Sequence, residues 1–275
     1  MSYEFLRPST LKEAAEILDR REDVRILAGG TDLLILLRNG MLGCRYMLDV
    51  KKIPELHVLE RNGDRLEIGG AVNLNRLLES PLVDNAFCAL RDGAATLANS
   101  LLRNRATLVG NICNASPGGD MLPPALVLDG TVHAASVSGI REIPLAEFFT
   151  GVKKHVLKKN ELVTKIAFPV KKGKSVYLKK TRIKGHDLAQ VGVSAFWAED
   201  GTLSVALGAV APTPVLVAGL GPYDRKSLEK AREEIEEAVR KRISPISDTR
   251  GSKEYRTAMA RYFIGEIISR WKEAA

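Results

Sequence analysis

The chain has 275 residues, 45% of them hydrophobic, 27% charged and 5% aromatic, with a formal charge of +8. That composition excludes a disordered or fibrous chain, and at this length a sizeable core can be buried. No apolar run exceeds Leu33 to Leu37, far below the ~18 residues of a membrane span. Met1-Ser2-Tyr3-Glu4-Phe5 has no basic stretch leading into an apolar one, so a cytoplasmic protein without a signal peptide is expected.

In chain order, Thr10-Leu11-Lys12-Glu13 reads as a capping box opening a helix through about Leu18. A short strand, Val24 to Ala28, runs into Gly29-Gly30-Thr31-Asp32, and Leu33 to Leu37 reads as the start of a buried helix. Strands are expected at Leu48 to Val50, Val58 to Leu59 and Leu66 to Ile68, with a turn at Asn62-Gly63-Asp64. Leu74 to Leu78 and the Ala-rich stretch Ala86 to Leu101 read as helices. Arg103 to Asp120 is too dense in turn formers for a regular element. Leu122 to Leu128 returns to helix and Thr131 to Val137 to strand.

Pro169 and Lys171-Lys172-Gly173-Lys174 mark the expected domain boundary, giving domains of residues 1–170 and 171–275. Beyond it come strands at Ser175 to Arg182, Val191 to Ala198 and Leu203 to Val210, and a Pro/Gly stretch from Ala211 to Pro222. Helices at Ser227 to Lys241 and Ser252 to Trp271 finish the chain. Alternating elements in the first part suggest an α/β domain, and strands followed by helices in the second suggest α+β.

Cys44, Cys88 and Cys113 are widely spaced and the four histidines are scattered, which argues against a disulfide framework or a metal site within this chain. The positive charge is concentrated: Val152 to Lys184 holds twelve Lys or Arg against the single acid Glu161. No helix-turn-helix or aromatic RNA-binding pattern accompanies it, so nucleic acid is not the expected partner. Solvated strand edges, a phosphate-bearing ligand and an acidic partner protein all remain open for this segment.

Two Gly-rich segments could carry function. In Leu27-Ala28-Gly29-Gly30-Thr31-Asp32-Leu33, glycines between strand and helix let backbone approach a ligand and leave N–H groups for a phosphate. Neither a Rossmann fingerprint nor a P-loop is present. The second, Ala106 to Asp120, is too apolar for a plain solvent loop, and long irregular loops in compact domains are usually functional. Together the two could bracket a long, phosphate-bearing cofactor.

Arg103-Asn104-x-Ala106-Thr107-x-x-Gly110-Asn111-Ile112 and Asn114-Ala115-Ser116-Pro117-x-x-Asp120 follow the first loop in order. Gly208-Ala209-Val210-Ala211-Pro212-Thr213-Pro214 and Asp248-x-Arg250-Gly251-Ser252-x-Glu254-Tyr255-Arg256 come next. With these five motifs, spread over nearly the whole chain, the sequence resembles the FAD-binding medium subunit of molybdenum hydroxylases. The resemblance implies an α+β protein: an N-terminal two-lobed α/β domain with FAD between the lobes, then a smaller C-terminal domain of antiparallel sheet and helices. It implies that Ile26, Leu27, Ala28, Gly29, Gly30, Thr31, Asp32 and Leu33 hold the FAD diphosphate. Thr107, Leu108, Val109, Gly110 and Asn111 would form the second diphosphate turn, with Asn114 and Asp120 facing the ribityl and flavin. Leu97 would pack on the adenine or flavin, Leu162 would line the apolar floor, and Lys179 would approach the flavin from the C-terminal domain, on an electropositive rim.

Val109 departs from the family's paired glycines and would be unfavourable if that position needs a positive φ or close contact with phosphate. The partners implied are a [2Fe–2S] small subunit and a molybdopterin-containing large subunit, with electrons passing to an external acceptor. A self-contained FAD oxidoreductase and a binding protein that has lost FAD are the competing readings.

Overall fold

The computed structural model describes residues 3–183 and 185–273. Met1, Ser2 and Lys184, the last residue of the basic segment, lie outside the described residues. Strand β1 (Glu4–Leu6) leads into helix α1 (Leu11–Arg20), followed by β2 (Val24–Leu27), α2 (Leu33–Arg38) and β3 (Tyr46–Asp49). β3 lies between β1 and β2 and pairs with both in parallel. Thr10 caps α1, its hydroxyl accepting from Glu13 N–H at 3.1 Å. The Glu13 carboxylate reaches back to Ser9 N–H at 2.8 Å, one residue before the cap that a reciprocal box would use. Ala14 and Leu18 of α1 pack on Leu48, Val50, Ile53 and Leu56 to form the core of this first lobe.

The second lobe begins with β4 (Leu59–Asn62), β5 (Arg65–Gly69), α3 (Leu74–Glu79), α4 (Cys88–Thr96), α5 (Ser100–Arg103), α6 (Leu108–Asn114) and α7 (Leu122–Val127). It continues with β6 (Thr131–Ser136), β7 (Gly139–Pro144), α8 (Leu145–Phe148), the hairpin of β8 (Phe149–Gly151) and β9 (Lys154–His155), and β10 (Leu162–Pro169). Its sheet runs β4-β5-β10-β6-β7, antiparallel throughout. Strand β10 serves two cores: Leu162 packs in the first lobe, while Val163, Ile166 and Phe168 pack in the second with Leu66, Ile68, Leu90 and Ile112.

Strands β11 (Gly173–Lys180), β12 (Val191–Ala198), β13 (Leu203–Gly208) and β14 (Val215–Leu220) form an antiparallel sheet in that order. Helices α9 (Arg225–Lys230), α10 (Arg232–Arg240) and α11 (Lys253–Glu273) follow. They pack Ile235, Val239, Ile264, Ile267 and Trp271 against Val193, Val205 and Leu207. Tyr177, Phe196 and Ala206 of this sheet belong instead to the second lobe's core, so the sheet is covered on both faces. No described helix is long and apolar enough to cross a membrane.

The local expectations need five corrections. Helix α2 is not buried: Leu34 is 42% and Ile35 57% exposed, and only Leu37 is buried. The single helix expected over Ala86 to Leu101 breaks where Leu97 turns extended and Ala98 adopts φ 46°. Asn99 then caps α5, accepting from Leu102 N–H at 2.8 Å. Arg103 holds the break, donating to the carbonyls of Ala95, Leu97 and Ala98 at 3.1–3.2 Å. Arg103 to Asp120 does contain a regular element, α6, because the Thr107 hydroxyl caps it by accepting from Gly110 N–H at 2.9 Å. The Pro/Gly stretch from Ala211 to Pro222 contains β14, and the helix from Ser227 to Lys241 is two helices meeting at Ala231.

Candidate functional site

The two Gly-rich segments meet backbone to backbone. Gly29 follows β2 and sits so close to the chain after α5 that a Cβ there would lie 2.1 Å from Arg105 O and 3.1 Å from Ala106 Cα. Gly30 has φ +75°, a left-handed conformation that favours glycine, and its carbonyl accepts from Leu34 N–H at 3.0 Å to start α2. Among the described residues, the N–H groups of Gly29, Gly30 and Thr31 donate no hydrogen bond. Ala28, Gly29, Gly30 and Thr31 are half-buried, and Asp32 is exposed with no cap bond from its side chain. Beneath them Leu27 packs with Leu33, Leu37 and Met47, and Ile26 and Ala28 pack on the cluster containing Leu162. Leu162 is a buried member of that first-lobe core.

Across this contact, Leu74 N–H donates to Ala106 O at 2.9 Å, which pins the second segment to α3. Thr107 is buried and caps α6, whose first turn contains Leu108, Val109 and Gly110. Leu108 and Val109 point into the second lobe's core. Val109 is helical and is not among the positive-φ residues, so the strain anticipated for a valine here is absent. Asn111 accepts from Met121 N–H at 3.1 Å, drawing the following loop back over α6. A Cβ on Gly119 would lie 3.0 Å from that same side-chain oxygen. Asn114 ends α6 half-buried, and Ala115 turns the chain in the left-handed region at φ 46°.

That loop delivers Asp120 to a buried ion pair. Lys179 Nζ lies 2.8 Å from Asp120 Oδ2, with the two side chains only 4% and 8% exposed. Lys179 Nζ also donates to Thr96 O at 3.2 Å, next to buried Leu97. Tyr177 donates its hydroxyl to Asp120 Oδ1 at 3.2 Å. Burial pushes the Asp120 carboxyl above its ordinary value, against the pull of Lys179 and Tyr177. Cys113, half-buried on α6, has its thiol pushed up to about 12 by burial.

Lys179 does not stand as free positive charge, which corrects the expectation of an electropositive rim at this position. Other lysines of the basic segment are likewise matched by acids far away in sequence: Lys165 by Glu67 at 2.6 Å, Lys171 by Asp129, and Lys172 by Glu199 at 3.8 Å. The two C-terminal motifs meet each other, and the first of them also touches the second Gly-rich segment. Buried Arg256 donates to Ala209 O at 3.0 Å and Gln190 O at 2.6 Å, and pairs with Asp248 at 2.7 Å. Ala209 N–H in turn donates to Pro117 O at 2.7 Å, fastening this joint to the second segment. Tyr177 belongs to none of the sequence motifs, and its part in the cluster depends on strand pairing that no local pattern reveals.

Residues 1–171 match the model of the FAD binding domain in molybdopterin dehydrogenase, and residues 176–270 that of the CO dehydrogenase flavoprotein C-terminal domain. The chain belongs to the family of FAD-binding subunits of molybdopterin dehydrogenases. Among the relatives of this FAD-binding subunit is the putative xanthine dehydrogenase FAD-binding subunit of Escherichia coli, 31% identical over 98% of this chain and 96% of the relative. The glyceraldehyde dehydrogenase medium chain of Sulfolobus acidocaldarius is 30% identical over 92% of each chain. Carbon monoxide dehydrogenase from Hydrogenophaga pseudoflava matches in structure with a TM-score of 0.89, at 26% identity over 100% of this chain and 99% of that one. The residues present fit the family's cofactor. Backbone N–H groups without partners and a glycine with no room for a side chain give an anionic diphosphate close access to main chain.

Proposed function

We propose that this chain holds one FAD between its two N-terminal lobes, within residues 1–170, with residues 171–275 closing the flavin end through Lys179. In this reading it passes electrons from the [2Fe–2S] clusters of a small subunit to an external acceptor, while a large subunit carries molybdopterin and oxidises the substrate. The observation that carries it is the contact of Gly29 with Arg105 and Ala106, which sets the first loop, with its unpartnered N–H groups, beside the second segment. The N–H groups of Gly29, Gly30 and Thr31 would face the diphosphate, Asn111 would order the Asp120 loop, and the Asp120–Lys179 pair would face the flavin. When bound, FAD supplies the two-electron chemistry, and the chain positions and tunes it.

The purified chain should carry about one FAD and be reduced readily by dithionite. It should be left oxidised by aldehydes, purines or carbon monoxide unless the partner subunits are added. Anaerobic mixing followed by flavin absorbance reads the result. Bleaching by any of these substrates at a catalytic rate without partners would support a self-contained oxidoreductase instead. The reading of a binding protein that has lost FAD rested on Val109, and the helical conformation of that residue speaks against backbone strain there.

A further inference from the structure

We infer that Tyr177 is a positioning residue that keeps the Asp120 carboxylate ionised against Lys179 and so sets the reduction potential of the bound flavin. The inference rests on the proposal that FAD lies against this pair. Tyr177 and Lys179 are two residues apart on β11 and therefore project from the same face of the sheet. Each occupies one oxygen of Asp120, the hydroxyl Oδ1 at 3.2 Å and the ammonium Oδ2 at 2.8 Å. The carboxylate is thus held at both ends and cannot rotate without breaking one contact. The tyrosine is itself fixed: its N–H donates to Asp92 Oδ2 at 3.0 Å, and its ring fills the space that a side chain at residue 192 would need. Gly192 stands directly across from Lys179 on β12, and a Cβ there would lie 2.4 Å from the tyrosine hydroxyl oxygen.

The charge balance of this cluster is fine. Burial works against the ionised carboxyl, while Lys179 and the Tyr177 hydroxyl work for it. Burial and the adjacent carboxylate hold the phenol well above its ordinary value, so it remains a proton donor to the bond at any working pH. Without the hydroxyl, Oδ1 would be a buried, charged oxygen with no partner, and the carboxyl would bind a proton more readily. Lys179 would then present an uncompensated positive charge to the flavin. Extra positive charge favours the electron-rich reduced cofactor over the oxidised one, so the potential would rise.

The test is a dye-equilibrated redox titration of the FAD-loaded complex for wild type, Tyr177→Phe, Asp120→Asn and the double variant, with flavin content and melting temperature measured alongside. Tyr177→Phe should keep one FAD per chain and favour reduced over oxidised FAD at least tenfold more than wild type does. That is an upward shift of about 30 mV for a two-electron couple. In the Asp120→Asn background the same change should shift nothing further, since the carboxylate through which it acts is gone. If Tyr177→Phe does not fold, replacing Tyr177 by 3-fluorotyrosine, a stronger donor, should lower the potential. An unshifted potential with normal FAD content would overturn this inference alone, as would an equal shift with or without Asp120. A wild-type chain that holds no FAD would overturn the site assignment and this inference with it.

Discussion

Replacing Gly29 by alanine tests the meeting of the two backbone segments. The new Cβ would lie 2.1 Å from Arg105 O and 2.8 Å from Arg105 C, where ordinary contact begins at 3.4 Å. The obstruction is main chain, which no rotamer change relieves, so the segments must separate by about 1 Å or the substitution is overpacked, at about 1–3 kcal/mol. Separation would also draw the Gly29–Thr31 donors away from the segment that begins at Arg105 and Ala106, so FAD affinity should fall at least tenfold, or about 1.4 kcal/mol. Thermal denaturation of the apo chain and FAD titration by flavin fluorescence give the two numbers. Gly43→Ala is the control: it is a glycine with nothing within 4 Å of its Cβ position, and it should change neither. Wild-type affinity and melting temperature in Gly29→Ala would refute the close approach of the segments.

Three other outcomes follow from the same geometry. Val109→Gly should cost about 2–4 kcal/mol, combining the loss of a buried side chain with glycine in a helix, and should not tighten FAD binding; a tenfold gain in affinity would show a strained valine after all. Arg256→Ala should cost about 3–5 kcal/mol, because it leaves two carbonyls and Asp248 without their buried partner; urea denaturation measures it, and a loss below 1 kcal/mol would contradict the joint's role. The Arg141 guanidinium beside Glu161 holds that carboxyl below its ordinary value, so the stability it adds is complete above that value and is lost as pH falls through the lowered one. Protection of the Lys158 amide, which donates to Glu161, should therefore weaken in acid and be absent at every pH in Glu161→Ala; protection that survives unchanged to pH 2 would count against the pairing.

The Gly-rich loop after β2, the cap at Thr10 and most strands were legible in the sequence because each depends on neighbouring residues. The errors occurred where distant groups decide. The end of α4 is set by Arg103 taking three carbonyls, and the start of α6 by a threonine that also pairs with Asn73 across the fold. The basic segment looked like a charged rim because the acids that match it, Glu67, Asp120 and Asp129, arrive from other strands and loops. The family was legible as five motifs in order, and two of these fasten the C-terminal sheet to its last helix.

Strand β10 places Leu162 in one lobe's core and Ile166 and Phe168 in the other's. The two lobes therefore share a beam, one strand contributing side chains to both cores. The beam comes late: β5, its partner, ends at Gly69, and β10 begins at Leu162. During synthesis the first lobe's sheet can pair early, but its core is complete only with Leu162 and the second lobe's only with Ala206, and such long-range pairing folds slowly. In the proposed site, a flavin arriving before β10 would meet only part of its residues, so cofactor loading would follow that strand.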